Sequence, residues 1–165
     1  MNLDNIPLGT PEEFNVLVEI PTGSVNKYEY DEALRAIKLD YVFHNGFHFP
    51  FNYGFIPHTK AEDNDPLDAV VLSSYPIQPN TIVMVKPLGI LRLKDGGEQD
   101  NKLITVPSVD PLTNELKSIA DLSDKEKEDI TAFFKEVGVQ KNETMDIEGF
   151  FGRDEAIAEV RRYKL

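Results

Sequence analysis

Three aspartates crowd into the short segment Glu62-Asp63-Asn64-Asp65-Pro66-Leu67-Asp68. Asn and Pro favour a turn there, so the carboxylates of Asp63, Asp65 and Asp68 are offered from one stiffened loop. Carboxylates gathered this way are hard oxygen donors of the kind that Mg²⁺ or Mn²⁺ prefers. An ion so held could polarise a phosphate and activate a water, which makes metal-assisted phosphate chemistry the natural reading. The same residue types also build ordinary turns by bonding their own backbone, and the segment taken alone admits that account equally. A calcium loop of the EF-hand kind fits less well, because its obligatory glycine is missing and Pro66 breaks the pattern.

A second acidic loop runs from Lys94 to Lys102 and carries Asp95 and Asp100. Asp95-Gly96-Gly97 between two apolar runs is also a good hairpin turn in its own right. If the two loops meet, their aspartates repel one another strongly unless cations lie between them. Lys27 and Glu29 stand two apart in a strand-like run, so they project from one face, as residues sharing a site must. By itself Lys-Tyr-Glu could equally be a solvated charged face. His44, His48 and His58 have no zinc-like spacing and are read as structural.

The elements that would position these groups are mostly strands. Phe14 to Ile20 alternates with Phe14, Val16, Val18 and Ile20 on one face and Glu19 on the other, before a turn at Pro21-Thr22-Gly23. Further β-branched and aromatic runs cover Lys27 to Tyr30, Arg35 to Phe43, Ala69 to Leu72, Thr81 to Lys86, Gly89 to Leu93 and Lys102 to Val106. Many short strands favour a closed or nearly closed barrel, which removes sheet edges. Thr10-Pro11-Glu12-Glu13 reads as a short helical turn with Thr10 as N-cap and Glu13 closing a capping box. Ser123 to Val137 is the clearest helix, capped by Ser123 and Glu126 and ended by Gly138. Arg153 to Arg162 predicts a terminal helix carrying Ile157 and Val160. Strands first and helices late give the class α+β, mainly β.

The chain has 165 residues, 41% of them hydrophobic, which suits one domain over residues 1–165. Its formal charge of -12 disfavours nucleic acid and anionic membrane as partners. The absence of cysteine excludes thiolate catalysis and disulfides and fits a cytoplasmic protein. No basic, apolar leader and no membrane-length apolar run is present in the sequence.

Asn52-Tyr53-Gly54-Phe55-Ile56-Pro57, followed by Asp63-Asn64-Asp65-Pro66-Leu67-Asp68, resembles the signature of the family I soluble inorganic pyrophosphatases, whose pattern is Asp-x-Asp-Pro-x-Asp. The likeness continues in order through Glu19-Ile20-Pro21, Lys27-Tyr28-Glu29, Tyr75-Pro76 and Asp95 to Lys102, as in a divergent member. It implies a five-stranded OB-like barrel flanked by helices and a homo-oligomer, a hexamer in bacterial members. It also implies Mg²⁺-dependent hydrolysis of pyrophosphate to phosphate, with Mn²⁺ as the other metal. Carried over by position, Asp63, Asp68, Asp95 and Asp100 match metal ligands. Glu19 and Glu29 match acids that hold metal-bound waters, and Asp65 matches the general base. Lys27, Tyr53 and Lys102 match phosphate contacts.

The chain departs from that pattern at a few positions. Tyr41 after Asp40 stands for an Arg, Phe49 for a Tyr, Val137-Gly138 for Tyr-Lys, and Gly96 for an acid. Two phosphate-binding cations are thereby missing. At about 1.5–3 kcal/mol for each charge-assisted bond, that loss corresponds to a rate lower by about 10² to 10⁴. Arg35, Lys38, Lys94, Lys135 and Lys141 are the candidate substitutes. Two other readings stand beside the diphosphatase: a hydrolase of another phosphoanhydride, and a weakly active or inactive member acting as a binding or assembly subunit.

Overall fold

Residues 14 to 20 are almost continuously apolar because the strand they form is covered on both faces. In the computed structural model, which describes residues 3–165, β1 (Gly9–Thr10) turns tightly into β2 (Glu13–Ile20), and β2 is buried from Phe14 onward. A separate hairpin follows, β3 (Asn26–Asp31) against β4 (Ala36–Val42). The remaining strands are β5 (Asn52–Phe55), β6 (Asp68–Val71), β7 (Thr81–Asp95), β8 (Glu98–Gln99), β9 (Lys102–Pro107) and β10 (Met145–Phe151). The helices are α1 (Asp124–Lys141) and α2 (Arg153–Tyr163).

Strands β2, β5, β6, β9 and β7 pair in that order, and β7 pairs back onto β2, so five strands close a ring. Only the β6–β9 pairing in it is parallel. Closure leaves no free edge within the ring. The expected barrel is therefore present, in a mainly β chain with two α-helices.

Period-two alternation divides the side chains between two cores. Ala69, Val71 and Leu103 join Phe14, Val16 and Val18 in one, which Ala156 and Val160 of α2 cover. Val70, Ile104 and Val106 enter the other, which Phe133 and Phe134 of α1 seal together with Phe43, Phe49 and Phe51. Among the described residues no helix is long and apolar enough to cross a membrane.

Several local expectations differ from the fold. Thr10 to Glu13 is not a helical turn but the hairpin corner joining β1 to β2. The Glu13 N–H does donate to Thr10 Oγ1 at 3.2 Å, yet Glu13 then pairs across to Thr10 as strand. Ile20 does not stay on the face of Phe14, Val16 and Val18, because a register shift between Val18 and Ile20 turns it into the second core. The runs Thr81 to Lys86 and Gly89 to Leu93 are one strand, β7. Pro87–Gly89 is only an irregularity in its register, not a turn.

The helix α1 also passes through Gly138 to Lys141 and is capped by Asn142 in the left-handed conformation, φ 57°. Its N-terminal capping box at Ser123 and Glu126 is as expected. Strands β5 and β10 were not anticipated, although Met145-Asp146-Ile147-Glu148 alternates as a half-buried strand should.

Candidate active site

The β6–β9 pairing is the foundation of the site, because it sets Asp68 directly opposite Lys102 at the start of both strands. The Lys102 ammonium is buried and donates to Asp68 Oδ2 at 2.6 Å and to Asp100 Oδ1. The Tyr53 hydroxyl, from β5 on the other side of β6, donates to the same Asp68 Oδ2 at 2.7 Å. Lys102 Nζ also lies 5.9 Å from the ring centroids of Tyr53 and of Phe134, so the aromatic layer under α1 forms its floor. Burial opposes the Lys102 charge, but Asp68 and Asp100 outweigh it and raise its pKa. The Tyr53 hydroxyl is pushed well up, first by burial and then by Asp68 and Asp100, so it remains a donor.

The loop before β6 carries the other two aspartates. Asp65 N–H donates to Asp63 Oδ1 at 2.9 Å, and Asn64 between them takes φ 76°. That local turn is the ordinary Asx geometry, present here together with the shared cavity described below. The C-terminal helix pins the loop from outside: Arg162 and the Tyr163 hydroxyl donate to Glu62 Oε1 at 2.7 and 3.0 Å. The Asp65 pKa is raised, first by burial and then by Asp63 and Asp68.

Asp95 ends β7 at a two-glycine turn whose Gly96 and Gly97 have φ +57° and +93°. These are conformations that glycine adopts without a steric penalty. Asp95 Oδ1 is buried with no hydrogen-bond partner among the described residues, the kind of orphan that calls for an explanation. Asp100 lies between β8 and β9, held by its N–H donating to Leu93 O at 3.0 Å; burial raises its pKa even against Lys102.

From the other side, Glu19 of β2 is 8% exposed and accepts from Tyr30 N–H at 2.7 Å, which ties the β3–β4 hairpin to the barrel. Burial, reinforced by Asp68 and Glu29, pushes its carboxyl up to about 8. Lys27 of β3 donates to Asp40 Oδ2 at 2.8 Å and to Glu29, so Lys27 and Glu29 do share a face. Burial opposes the Lys27 charge, and the bonds to Asp40 and Glu29 outweigh it and raise its pKa.

All ten residues singled out in the sequence, Asp63, Asp65, Asp68, Asp95, Asp100, Glu19, Glu29, Lys27, Tyr53 and Lys102, border one cavity of about 760 Å³. Phe49 and Gly96 border it too, whereas Tyr41 does not; its ring instead meets Phe43 edge-on at 5.3 Å. None of the three histidines reaches the cavity wall. Glu32, Glu98, Glu143 and Glu159 also line it and were not anticipated. Glu98 belongs to the second acidic loop, but the sequence surroundings of Glu32, Glu143 and Glu159 are those of ordinary surface acids, and only the tertiary fold brings them to the cavity.

Hard oxygen donors around an orphaned buried carboxylate oxygen fit a divalent cation such as Mg²⁺ or Mn²⁺. Among the described residues, no three Asp, Glu or His side chains converge on one point at ligand distance. The carboxylates are spread around the wall, with the Lys102 ammonium drawing Asp68 and Asp100 together.

A family profile described as inorganic pyrophosphatase matches residues 16–164. The inorganic pyrophosphatase of Thermus thermophilus is 41% identical over an alignment covering 99% of this chain and 98% of that protein. That of Sulfolobus acidocaldarius is 46% identical over 76% of this chain and 73% of that protein. The crystal structure of the Thermus thermophilus enzyme superposes with a TM-score of 0.91, covering 98% of this chain and 95% of that one. The chain is therefore less divergent than the sequence departures at Tyr41, Phe49, Gly96 and Gly138 imply, since it keeps about two-fifths of its residues in common with a relative along nearly its whole length.

Proposed function

This chain belongs to the inorganic pyrophosphatase family, and on that premise we propose that its acidic cavity hydrolyses inorganic pyrophosphate to phosphate with the help of Mg²⁺. The observation that carries this reading is the convergence of ten residues, drawn from both acidic loops, three strands and the hairpin, on one cavity.

Asp63, Asp68, Asp95 and Asp100 would hold the divalent cation, and Glu19 and Glu29 its waters. When bound, such a cation neutralises phosphate charge and lowers the pKa of a coordinated water. Asp65 takes the proton of the attacking water at its carboxylate while the water oxygen bonds to phosphorus and the bridging P–O bond breaks. Two phosphates leave, and no covalent link to the protein forms. Lys27 and Lys102 offset anionic charge, and the neutral Tyr53 hydroxyl donates a hydrogen bond. Mn²⁺ has the same donor preference and is expected to substitute.

We read the protein as a cytoplasmic homo-oligomer without nucleic acid or membrane partners. The net charge of -12 supports the lack of nucleic acid and membrane partners, the lack of cysteine supports the compartment, and the family likeness supports the homo-oligomer.

The test is phosphate release from pyrophosphate across a Mg²⁺ titration, with a nucleoside triphosphate and a short polyphosphate as controls. Mg²⁺-dependent, pyrophosphate-selective release is expected. Normal Mg²⁺ binding with no release from pyrophosphate would overturn the proposal. Faster release from a control would move the activity to another phosphoanhydride.

A further inference from the structure

We infer that Lys141 is a substrate-binding cation of this cavity, meeting a phosphate group of the bound anion from the C-terminal end of α1. The inference rests on the proposed hydrolysis of pyrophosphate and goes beyond it in assigning a residue that lies outside the two acidic loops.

The cavity wall is electrostatically one-sided: twelve carboxylates face three lysines, Lys27, Lys102 and Lys141, and no arginine borders it among the described residues. A ligand carrying several negative charges needs cations that can turn toward it. Two of the three are committed. Lys102 is buried between Asp68 and Asp100, and Lys27 is held by Glu29 and Asp40.

Lys141 differs from both. Its side chain is 32% exposed, and its ammonium lies 2.9 Å from Glu143 and 4.0 Å from Asp95 Oδ2. It therefore sits beside the acidic wall, paired closely with Glu143 and only loosely with Asp95, and is the most exposed of the three lysines. Asp40, held low first by the Lys27 hydrogen bond, also feels the Lys141 charge, so that charge reaches across to the hairpin side.

The local backbone fixes this placement. Asn142 stops α1 in the left-handed conformation and sends Glu143 to Met145 back along the last turn, where Gly138 packs against Glu143 O and Met145. Gly138 is consequently walled off from carrying a cation itself, and Tyr41 is turned away among aromatics. Of the other substitutes considered, Arg35, Lys38, Lys94 and Lys135 do not border the cavity.

The experiment compares wild type, Lys141→Met, Lys141→Arg and Glu143→Gln at saturating Mg²⁺. It measures kcat and KM for pyrophosphate, calorimetric affinity for the non-hydrolysable analogue imidodiphosphate, and Tm. Loss of one charge-assisted bond predicts that Lys141→Met raises KM and weakens imidodiphosphate by about 10- to 100-fold. Lys141→Arg should recover most of this, and Glu143→Gln should not reproduce it. An active wild type with unchanged KM and analogue affinity in Lys141→Met overturns this inference alone. So does a Glu143→Gln variant that matches the Lys141→Met loss, since the pair would then be merely structural. A wild type that neither binds the analogue nor hydrolyses pyrophosphate overturns the parent reading and this inference together.

Discussion

Lys102 and Asp68 are cross-strand partners in the one parallel pairing of the barrel, and their charged ends lie 2.6 Å apart. Because the lysine is buried, removing it strands Asp68 and Asp100 close together. We expect Lys102→Met to destabilise the protein by about 3 kcal/mol at neutral pH in chelator, as for other broken buried pairs. Mg²⁺ should restore much of that loss by supplying positive charge between the two carboxylates. Urea unfolding with and without Mg²⁺ checks this, and an undiminished deficit in Mg²⁺ would argue that the metal does not engage Asp68 and Asp100.

Asp65 is exposed, and among the described residues no side-chain hydrogen bond or ion pair fixes its carboxylate in place. Asp65→Asn should therefore leave Tm unchanged while lowering kcat by about 10² to 10⁴, the usual range for a general base. Wild-type turnover by the variant would rule out the assigned role. A fall in Tm matching the loss of activity would mean that the residue organises the loop instead.

Outside the site, Asp110 joins the loop after β6 to the loop after β9. It accepts from Ser74 N–H at 2.8 Å, Leu112 N–H at 3.0 Å and the Ser73 hydroxyl at 2.9 Å. These bonds, the Ser74 N–H first, hold its carboxyl far below the ordinary value of 3.8. A depressed folded-state pKa gives stability that is complete above the unfolded value and is lost as pH falls toward the folded one. Asp110→Asn should thus lower the urea midpoint at neutral pH, with the gap to wild type narrowing as pH drops below about 4. A gap that stays constant through the acid range would show that the ionised form contributes nothing.

Much of this arrangement is legible in the chain. The two Asp-rich loops announce themselves by composition, and the capping box at Ser123 marks the start of α1. Glu19 is evident as a polar residue in an apolar strand. What local pattern cannot give is the effect of packing on that pattern. The register shift before Ile20 and the continuity of β7 through Pro87 are set by neighbouring strands. Gly138 looks like a helix stop, because glycine commonly ends helices, yet it is a helix interior thinned for contact with β10. Lys141 looks like any last-turn lysine, and only the Asn142 turn and the fold around it bring its ammonium to the cavity.

Restoring the two missing cations together, at Gly138 and Tyr41, looks attractive from the sequence and is unsuited to the structure. Inside a helix, alanine is ordinarily favoured over glycine by about 1 kcal/mol. At Gly138 a Cβ would stand 2.9 Å from Glu143 O and 3.1 Å from Met145 Cβ, so the neighbouring strand must give way. We expect Gly138→Ala to destabilise, reversing the usual sign, and Gly138→Lys to destabilise further while displacing Lys141. Tyr41 is more forgiving: it is half-buried and is the register partner of the cavity-lining Lys27, so an arginine released from the Phe43 contact starts next to the cavity even though the Tyr41 ring does not border it. Tyr41→Arg forfeits the edge contact with Phe43, at about 1 kcal/mol, yet should lower KM for pyrophosphate. The single variant should therefore outperform Tyr41→Arg combined with Gly138→Lys in both Tm and kcat/KM. A double variant that is the more stable and the faster would mean that the end of α1 is not fixed by its contact with β10.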